Sequence, residues 1–276
     1  MDKENLSIFA TIKGIGSASG LFLKQNFLYV IGDNSAYLYE YDIYSKIINK
    51  IQLLKDLPFS ENIAKAVKPD FEVLCHYENS LYILGSGSTA NRNLMLKFDL
   101  QTKQVSQHDL SSLYAKIKQQ CKIDDENLNI EGAVFNGNNW YLFNRGNGNA
   151  QKNGMVKVGG SDLSSADDIS FVPIILLKDN KKLVSFTDAL LHNKEIYFIA
   201  AAEDTKSTYE DGKILGSYIG SINAETLELK FTKKISSTHK FEGITLFKQQ
   251  EKQIEFLLCE DRDTDVLETV IYKVII

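Results

Sequence analysis

Five oxygen-bearing residues recur along this chain at a nearly constant interval. They are Ser19, Glu72, Glu131, Thr187 and Glu242, separated by 53, 59, 56 and 55 residues. Each opens a short apolar run, as in Phe71-Glu72-Val73-Leu74, Ile130-Glu131-Gly132-Ala133 and Phe241-Glu242-Gly243-Ile244. If the repeats are equivalent units set round an axis, the five side chains converge on it. Three carboxylates on a narrow axis repel one another, by roughly 3 kcal/mol for two unit charges about 5 Å apart at an effective dielectric near 20. Such a site must protonate some of its acids, pair them with lysines, keep them solvated in a wet channel, or hold a cation. A set of carboxylates and hydroxyls with no His or Cys is a hard-oxygen set, suited to Ca²⁺ before Mg²⁺ and poorly suited to Zn²⁺. The expected metal set is therefore Ser19, Glu72, Glu131, Thr187 and Glu242.

A second signal lies in the arginines. Lys and Arg together number 31, yet only Arg92, Arg145 and Arg262 are Arg. All three fall where a second strand should turn into a third, within Asn91-Arg92-Asn93, Asn144-Arg145-Gly146 and Asp261-Arg262-Asp263. A guanidinium is a fixed fork that grips phosphate or carboxylate through two bonds, so these three are the expected contacts to a small anionic ligand. The alternative for Arg262 is pairing with Asp261 and Asp263. Small polar residues surround the other two, in Gly85-Ser86-Gly87-Ser88-Thr89 and Gly146-Asn147-Gly148-Asn149, where backbone N–H groups could face an anion. No Gly-Lys-Ser/Thr follows at P-loop spacing. Asp33 or Glu131 is the expected activator of a water molecule, with Asp204 and Asp261 as further loop carboxylates. His239 precedes the fifth anchor and reads as a surface histidine. The sequence contains neither a nucleophile elbow nor a Cys/His constellation.

These residues need a scaffold that brings five distant segments together. In the first unit Gly20–Leu23, Phe27–Ile31, Ala36–Asp42 and Lys46–Leu54 read as four successive antiparallel strands, alternating apolar and polar and broken by Asn, Gly and Asp. Tyrosines stand ten residues after the first four anchors, at Tyr29, Tyr82, Tyr141 and Tyr197, with Phe256 in the fifth unit; these and Trp140 read as core between units. Asp42-Ile43-Tyr44-Ser45, Asp99-Leu100-Gln101-Thr102 and Asn223-Ala224-Glu225-Thr226 occupy the same hairpin, where a short polar side chain can bond the backbone. Residues 59–67 and 110–120 break the strand pattern and predict short helices between units.

Four-stranded units repeated radially make a β-propeller, so the expected fold is all-β, a single five-bladed propeller over residues 1–276. The fifth unit runs out of chain after three strands, and Leu6–Ile12 is the strand that completes it, leaving no open edge.

The bulk properties fit. A net charge of -5 and a pI near 5.5 argue against nucleic acid or an anionic membrane as partner. No run of 18 apolar residues predicts a membrane span. The polar start, Met1-Asp2-Lys3-Glu4-Asn5, lacks the apolar core of a secretion signal. Three cysteines, Cys75, Cys121 and Cys259, suit reduced thiols in the cytoplasm better than a disulfide framework.

At its anchors the chain resembles the calcium-activated nucleotidase (apyrase) family of five-bladed propellers. That family sets serine, glutamate, glutamate, serine and glutamate round an axial Ca²⁺; here Ser19, Glu72, Glu131, Thr187 and Glu242 follow the same order with one threonine for serine. Ser17-Ala18-Ser19-Gly20-Leu21 through Tyr29-Val30-Ile31-Gly32-Asp33, Asn144-Arg145 and Lys240-Phe241-Glu242-Gly243-Ile244 resemble the family in context. The Glu-Gly element is also similar to the esterase-like phytase and SdiA-regulated propeller groups. The resemblance implies an axial Ca²⁺. It departs at the phosphate-gripping positions: Gly32-Asp33-Asn34 lacks an expected arginine, and Arg145 is followed by Gly146 where the family has a second arginine. Two functions stay open on the sequence. One is a Ca²⁺-dependent hydrolase of a phosphorylated small molecule. The other is a non-catalytic ligand- or protein-binding propeller with a purely structural ion. A glycosidase ranks last, since the loops lack the exposed aromatics of a sugar cleft.

Overall fold

A computed structural model describes residues 5–55, 57, 60–205, 212–251, 253–262 and 266–276. Strand β1 (Leu6–Lys13) precedes the first blade, β2 (Ala18–Lys24), β3 (Phe27–Gly32), β4 (Tyr37–Asp42) and β5 (Ile48–Gln52). The second blade is β6 (Phe71–Tyr77), β7 (Ser80–Gly85), β8 (Leu94–Asp99) and β9 (Val105–Asp109). Helix α1 (Ser111–Cys121) leads to the third, β10 (Ile130–Phe135), β11 (Asn139–Asn144), β12 (Gly154–Gly159) and β13 (Ile169–Pro173). The fourth gains a two-residue strand β14 (Lys178–Asp179) before β15 (Lys182–His192), β16 (Glu195–Asp204), β17 (Lys213–Asn223) and β18 (Leu229–Ser236). The last is β19 (Phe241–Gln250), β20 (Gln253–Glu260) and β21 (Glu268–Ile275), and β1 pairs antiparallel with β21 to complete it. The result is the five-bladed propeller that the repeat predicts, closed by its N-terminal strand.

The first strands of the blades touch in a ring: β2 with β6, β6 with β10, β10 with β15, β15 with β19, and β19 with β2. Between neighbouring blades lie apolar layers. Leu28 and Val30 meet Leu257 and Ile271 across blades one and five; Phe143 and Phe186 stand edge-to-face at 5.0 Å across blades three and four. Tyr29, Tyr141, Tyr197, Trp140 and Phe256 are buried in such layers, as the ten-residue offset predicts. The polar hairpins close as expected too. Asp42 Oδ1 accepts from Tyr44 N and Ser45 N, Asp99 Oδ1 from Gln101 N and Thr102 N, and Asn223 Oδ1 from Glu225 N and Thr226 N.

Of the two predicted helices, one forms. Leu113, Tyr114, Ile117 and Cys121 give α1 a buried face against blades two and three, and Tyr114 Oη donates to Gly85 O at 2.8 Å. Residues 60–67 make turns instead, and residue 59 lies outside the described residues. Asn62 adopts φ 50°, and Ile63 N is spent on Asn34 O of blade one rather than on a helical carbonyl. Pro69 then holds Lys68 away from the helical region. Beyond a single turn closed by Val67 N and Lys68 N on Ala64 O, the segment is fastened to the first blade.

Two local features of the first strands shape the channel. Every anchor is the extra residue of a β-bulge: pairing slips past Ser19, Glu72, Glu131, Thr187 and Glu242 in β2, β6, β10, β15 and β19. A bulged residue has no partner across the strand, so its side chain leaves the regular alternation and is re-aimed. The next position is glycine in three blades. A Cβ on Gly243 would stand 2.9 Å from Gly20 Cα, and one on Gly20 2.9 Å from Leu74 Cβ. Only residues without side chains let the strands approach this closely. The channel is therefore pinched just beneath the anchors, with acids above and apolar residues below.

Candidate functional site

The anchors hold two kinds of residue in two different ways. Ser19 Oγ donates to Phe71 O of the next blade, and Thr187 Oγ1 donates to Phe241 O at 2.7 Å. Each hydroxyl thus stitches its blade to the following one while keeping lone pairs as an acceptor. The three glutamates meet charged neighbours that the spacing of the anchors does not disclose.

Two arcs of ion pairs run round the mouth. In the first, Arg145 Nη1 reaches Glu131 Oε1 at 3.0 Å and Nη2 reaches Glu203; Lys240 Nζ lies 3.5 Å from Glu203 Oε1 and 2.8 Å from Glu242 Oε1. Asn129 Nδ2 adds a bond to Glu131 Oε1 at 2.5 Å. This arc joins blades three, four and five. In the second, Lys68 Nζ bonds Asp33 and lies 2.9 Å from Asp70 Oδ1, while Arg92 Nη1 lies 2.8 Å from Asp70 Oδ2. That arc joins blades one and two.

Glu72 stands outside both arcs. Among the described residues it has no hydrogen-bond or ion-pair partner. Asp33 is half-served: Lys68 takes Oδ2, and the buried Oδ1 has no partner. Asp33, Asp70, Glu72, Glu131, Glu203 and Glu242 thus crowd the mouth together with Lys68, Arg92, Arg145 and Lys240.

The electrostatics follow from burial. Desolvation pushes the Glu72 carboxyl well above its usual range, and the charges of Asp70, Glu131, Asp33 and Glu242 push it the same way. Burial also raises Glu242 and Glu131, against the pull of Lys240 and Arg145 respectively. Burial raises Asp33 despite Lys68. For Lys68 and Arg145 burial opposes the charge, yet the surrounding carboxylates outweigh it and both are raised.

The five anchors are brought to one mouth, but a different trio forms the tight carboxylate cluster. Among the described residues, one group of acids, histidines or cysteines has ligand atoms all within 4.8 Å of one another: Asp33, Asp70 and Glu72. Two oxygens on one Ca²⁺ at 2.3–2.6 Å can be at most about 5 Å apart, so the trio matches that span. Glu131 and Glu242 fall outside it because Arg145 and Lys240 hold them.

The arginines sit in the loops where the sequence puts them, but two are buried and already engaged. Arg145 spans two carboxylates; Arg92 pairs with Asp70, donates to Ser88 Oγ at 2.8 Å and to Lys65 O at 3.1 Å. Arg262 is the open one, its side chain 48% exposed, with Glu260 at 3.9 Å and Glu268 at 4.0 Å; Asp263 lies outside the described residues. Asp204 turns outward to Lys182 at 2.8 Å, and its neighbour Glu203 is the residue that enters the site. His239 packs against Phe241 and Tyr272, its Nδ1 2.7 Å from Ser236 Oγ.

Lys68, Asp70, Lys240 and Glu203 are the participants that the sequence reading misses. A signal for two of them exists: Asp70 and Lys240 stand two residues before their anchors, as does Asn129, a second polar column beside the first.

The described residues contain no helix long and apolar enough to cross a membrane. No curated protein matches the sequence. Among solved structures, the crystal structure of exo-1,5-alpha-L-arabinanase from a bovine ruminal metagenomic library is similar over 97% of this chain and 98% of that one, with a TM-score of 0.52 and 8% identity. At that identity the likeness is one of fold. A family model matches residues 14–276, and the chain belongs to the family it describes, the Family of unknown function DUF6929.

Proposed function

We propose that the acidic mouth of this propeller is a divalent-cation site, with Ca²⁺ the ion its donors suit, and that the face around it binds a small anionic molecule. One observation carries the reading: Asp33 Oδ1 is a buried acid oxygen without a partner, and it clusters with Glu72, which no hydrogen bond or ion pair engages among the described residues. Glu72, Asp33 and Asp70 would hold the ion, and the Ser19 and Thr187 hydroxyls keep acceptor capacity towards the same mouth. All are hard oxygens. The resemblance of the anchors to the calcium-activated nucleotidases points the same way.

Two roles for such an ion divide on the residues around it. For a hydrolase of a phosphorylated small molecule, a bound Ca²⁺ would supply charge to polarise a phosphoryl oxygen. In that role Asp33, raised by burial, would leave the ion to Glu72 and Asp70 and use its spare Oδ1 to take the proton of the attacking water. Glu131 is a poorer base, because Arg145 and Asn129 already occupy Oε1. Against hydrolysis, Arg92 and Arg145 are committed to carboxylates, which leaves Arg262 as the exposed guanidinium. That commitment favours a binding propeller whose ion organises the face. A panel of nucleotides and phosphomonoesters, assayed in Ca²⁺ and in chelator, separates the roles. Calcium-dependent turnover lost in Asp33→Asn establishes the hydrolase; calcium-dependent ligand binding without turnover establishes the binding role.

A further inference from the structure

Below the pinch the channel widens into a second chamber, unlike the first in every chemical respect. It encloses about 420 Å³ and opens at the end opposite the anchors, where its rim includes Glu78, Asn136 and His192 at the turns after the first strands. All five blades line it, through residues two to six places beyond the anchors. Gly20, Gly132 and Gly243 form its ceiling, with Asp188 in the fourth blade. Asp188 Oδ2 accepts from Ile244 N at 2.8 Å and Oδ1 from Ala189 N at 2.7 Å, so this acid is spent on the ceiling and not offered to the chamber.

The walls are aliphatic and aromatic. Phe22 of blade one stacks on His76 of blade two, ring centroids 4.0 Å apart and 17° between planes. Tyr77 of blade two stands edge-on to Phe135 of blade three at 4.8 Å. Two ring pairs from adjacent blades therefore face one space. Three polar groups in the wall have partners within the protein: His76 Nε2 with Glu78 O at 2.7 Å, Thr245 Oγ1 with Leu23 N at 3.0 Å, His192 Nε2 with Gln249 Oε1 at 2.6 Å. Glu78, at the rim, is the one charged residue among those that line it.

We infer that this lower chamber is a binding site for an uncharged small molecule carrying an aromatic ring, separate from the acidic mouth. Its volume lies in the range of small-ligand sites, about 300–1,000 Å³, and concave apolar walls with few polar groups are what such sites present. An ion would lose its hydration there with no counter-charge inside to replace it. A flat ring would pack face to edge against Phe22, Tyr77 and Phe135, the arrangement aromatic pairs adopt. Burial lowers the His76 pKa, so the ring beside Phe22 is neutral at physiological pH and adds no charge to the chamber.

The test uses 2-naphthol as probe, titrated calorimetrically into the full chain. Saturable one-to-one binding is expected, weakened at least about tenfold by Ala189→Phe, whose ring would occupy the chamber, and unchanged by Tyr44→Ser on the exposed hairpin of blade one. Absence of saturable binding, or equal affinity in Ala189→Phe, overturns the inference. A readout on the unaltered protein guards against a misfolded variant: nuclear Overhauser contacts should link naphthol protons to the Phe22 and Tyr77 rings. Naphthol that binds without those contacts sits elsewhere, and the inference fails.

Discussion

Arg145 Nη1 donates to Glu131 Oε1 at 3.0 Å, and both side chains are buried. The pair joins a residue of the third blade's first strand to one just after its second, and through Nη2 it continues to Glu203 of the fourth. A guanidinium in this position neutralises acids that the fold has taken out of water. Its loss would leave the desolvated Glu131 carboxylate without its ion-pair partner and Glu203 with Lys240, which is far costlier than the net worth of the intact pair.

Arg145→Leu should therefore destabilise the chain by about 3–5 kcal/mol, read as a lowered urea midpoint with unchanged slope. The double variant Arg145→Leu/Glu131→Gln should recover part of that loss, because one stranded charge has been removed. Equal midpoints for Arg145→Leu and the parent chain would show that the arc contributes nothing.

Glu72 predicts an unusual pH dependence for the metal-free protein. Its folded-state pKa lies well above the unfolded value near 4.5, so between those two values the native state holds a proton that the unfolded state has released. Stability then falls as pH rises through that window, by about 1.4 kcal/mol per pH unit for one such group. Glu72→Gln should flatten this slope and raise stability at pH 8 in chelator. A metal-free protein equally stable from pH 5.5 to pH 8 would refute the assignment.

The pinch makes its own prediction. A methyl on Gly243 would meet Cys259 Sγ at 2.6 Å and Gly20 Cα at 2.9 Å, and the second contact is backbone that cannot swing aside. Gly243→Ala should cost about 1–3 kcal/mol by denaturant unfolding. A neutral result would mean that the first strands have slack at this level.

The propeller, its closing strand and its polar hairpins follow from patterns within one unit: alternation from Phe27 to Ile31, a side chain at Asp42 bonding backbone two residues on, an orphan strand at Leu6. The anchors were equally visible because each recurs in its own blade. The ion pairs were not, because they join blades. Nothing in the spacing tells Lys68 that it will meet both Asp33 and Asp70, or tells Glu203 that Arg145 lies across the gap. The helix expected over 59–67 failed for a related reason: composition allows it, but Asn62 and the bond from Ile63 N to Asn34 O fasten the segment to its neighbour. Two arginines read as ligand contacts turned out to be engaged with carboxylates for the same cause. Isolated in sequence, they look free.

The most direct test of the cation site is thermal unfolding in Ca²⁺ and in chelator, on the parent chain and on Glu72→Gln. At free Ca²⁺ about one hundred times its Kd, binding to the native state alone adds about 2.7 kcal/mol. For a chain of this size that is a rise of roughly 5 °C in melting temperature. The account predicts this rise in the parent chain and its loss in Glu72→Gln. A melting temperature indifferent to Ca²⁺ and chelator, or an equal rise in both proteins, would contradict it.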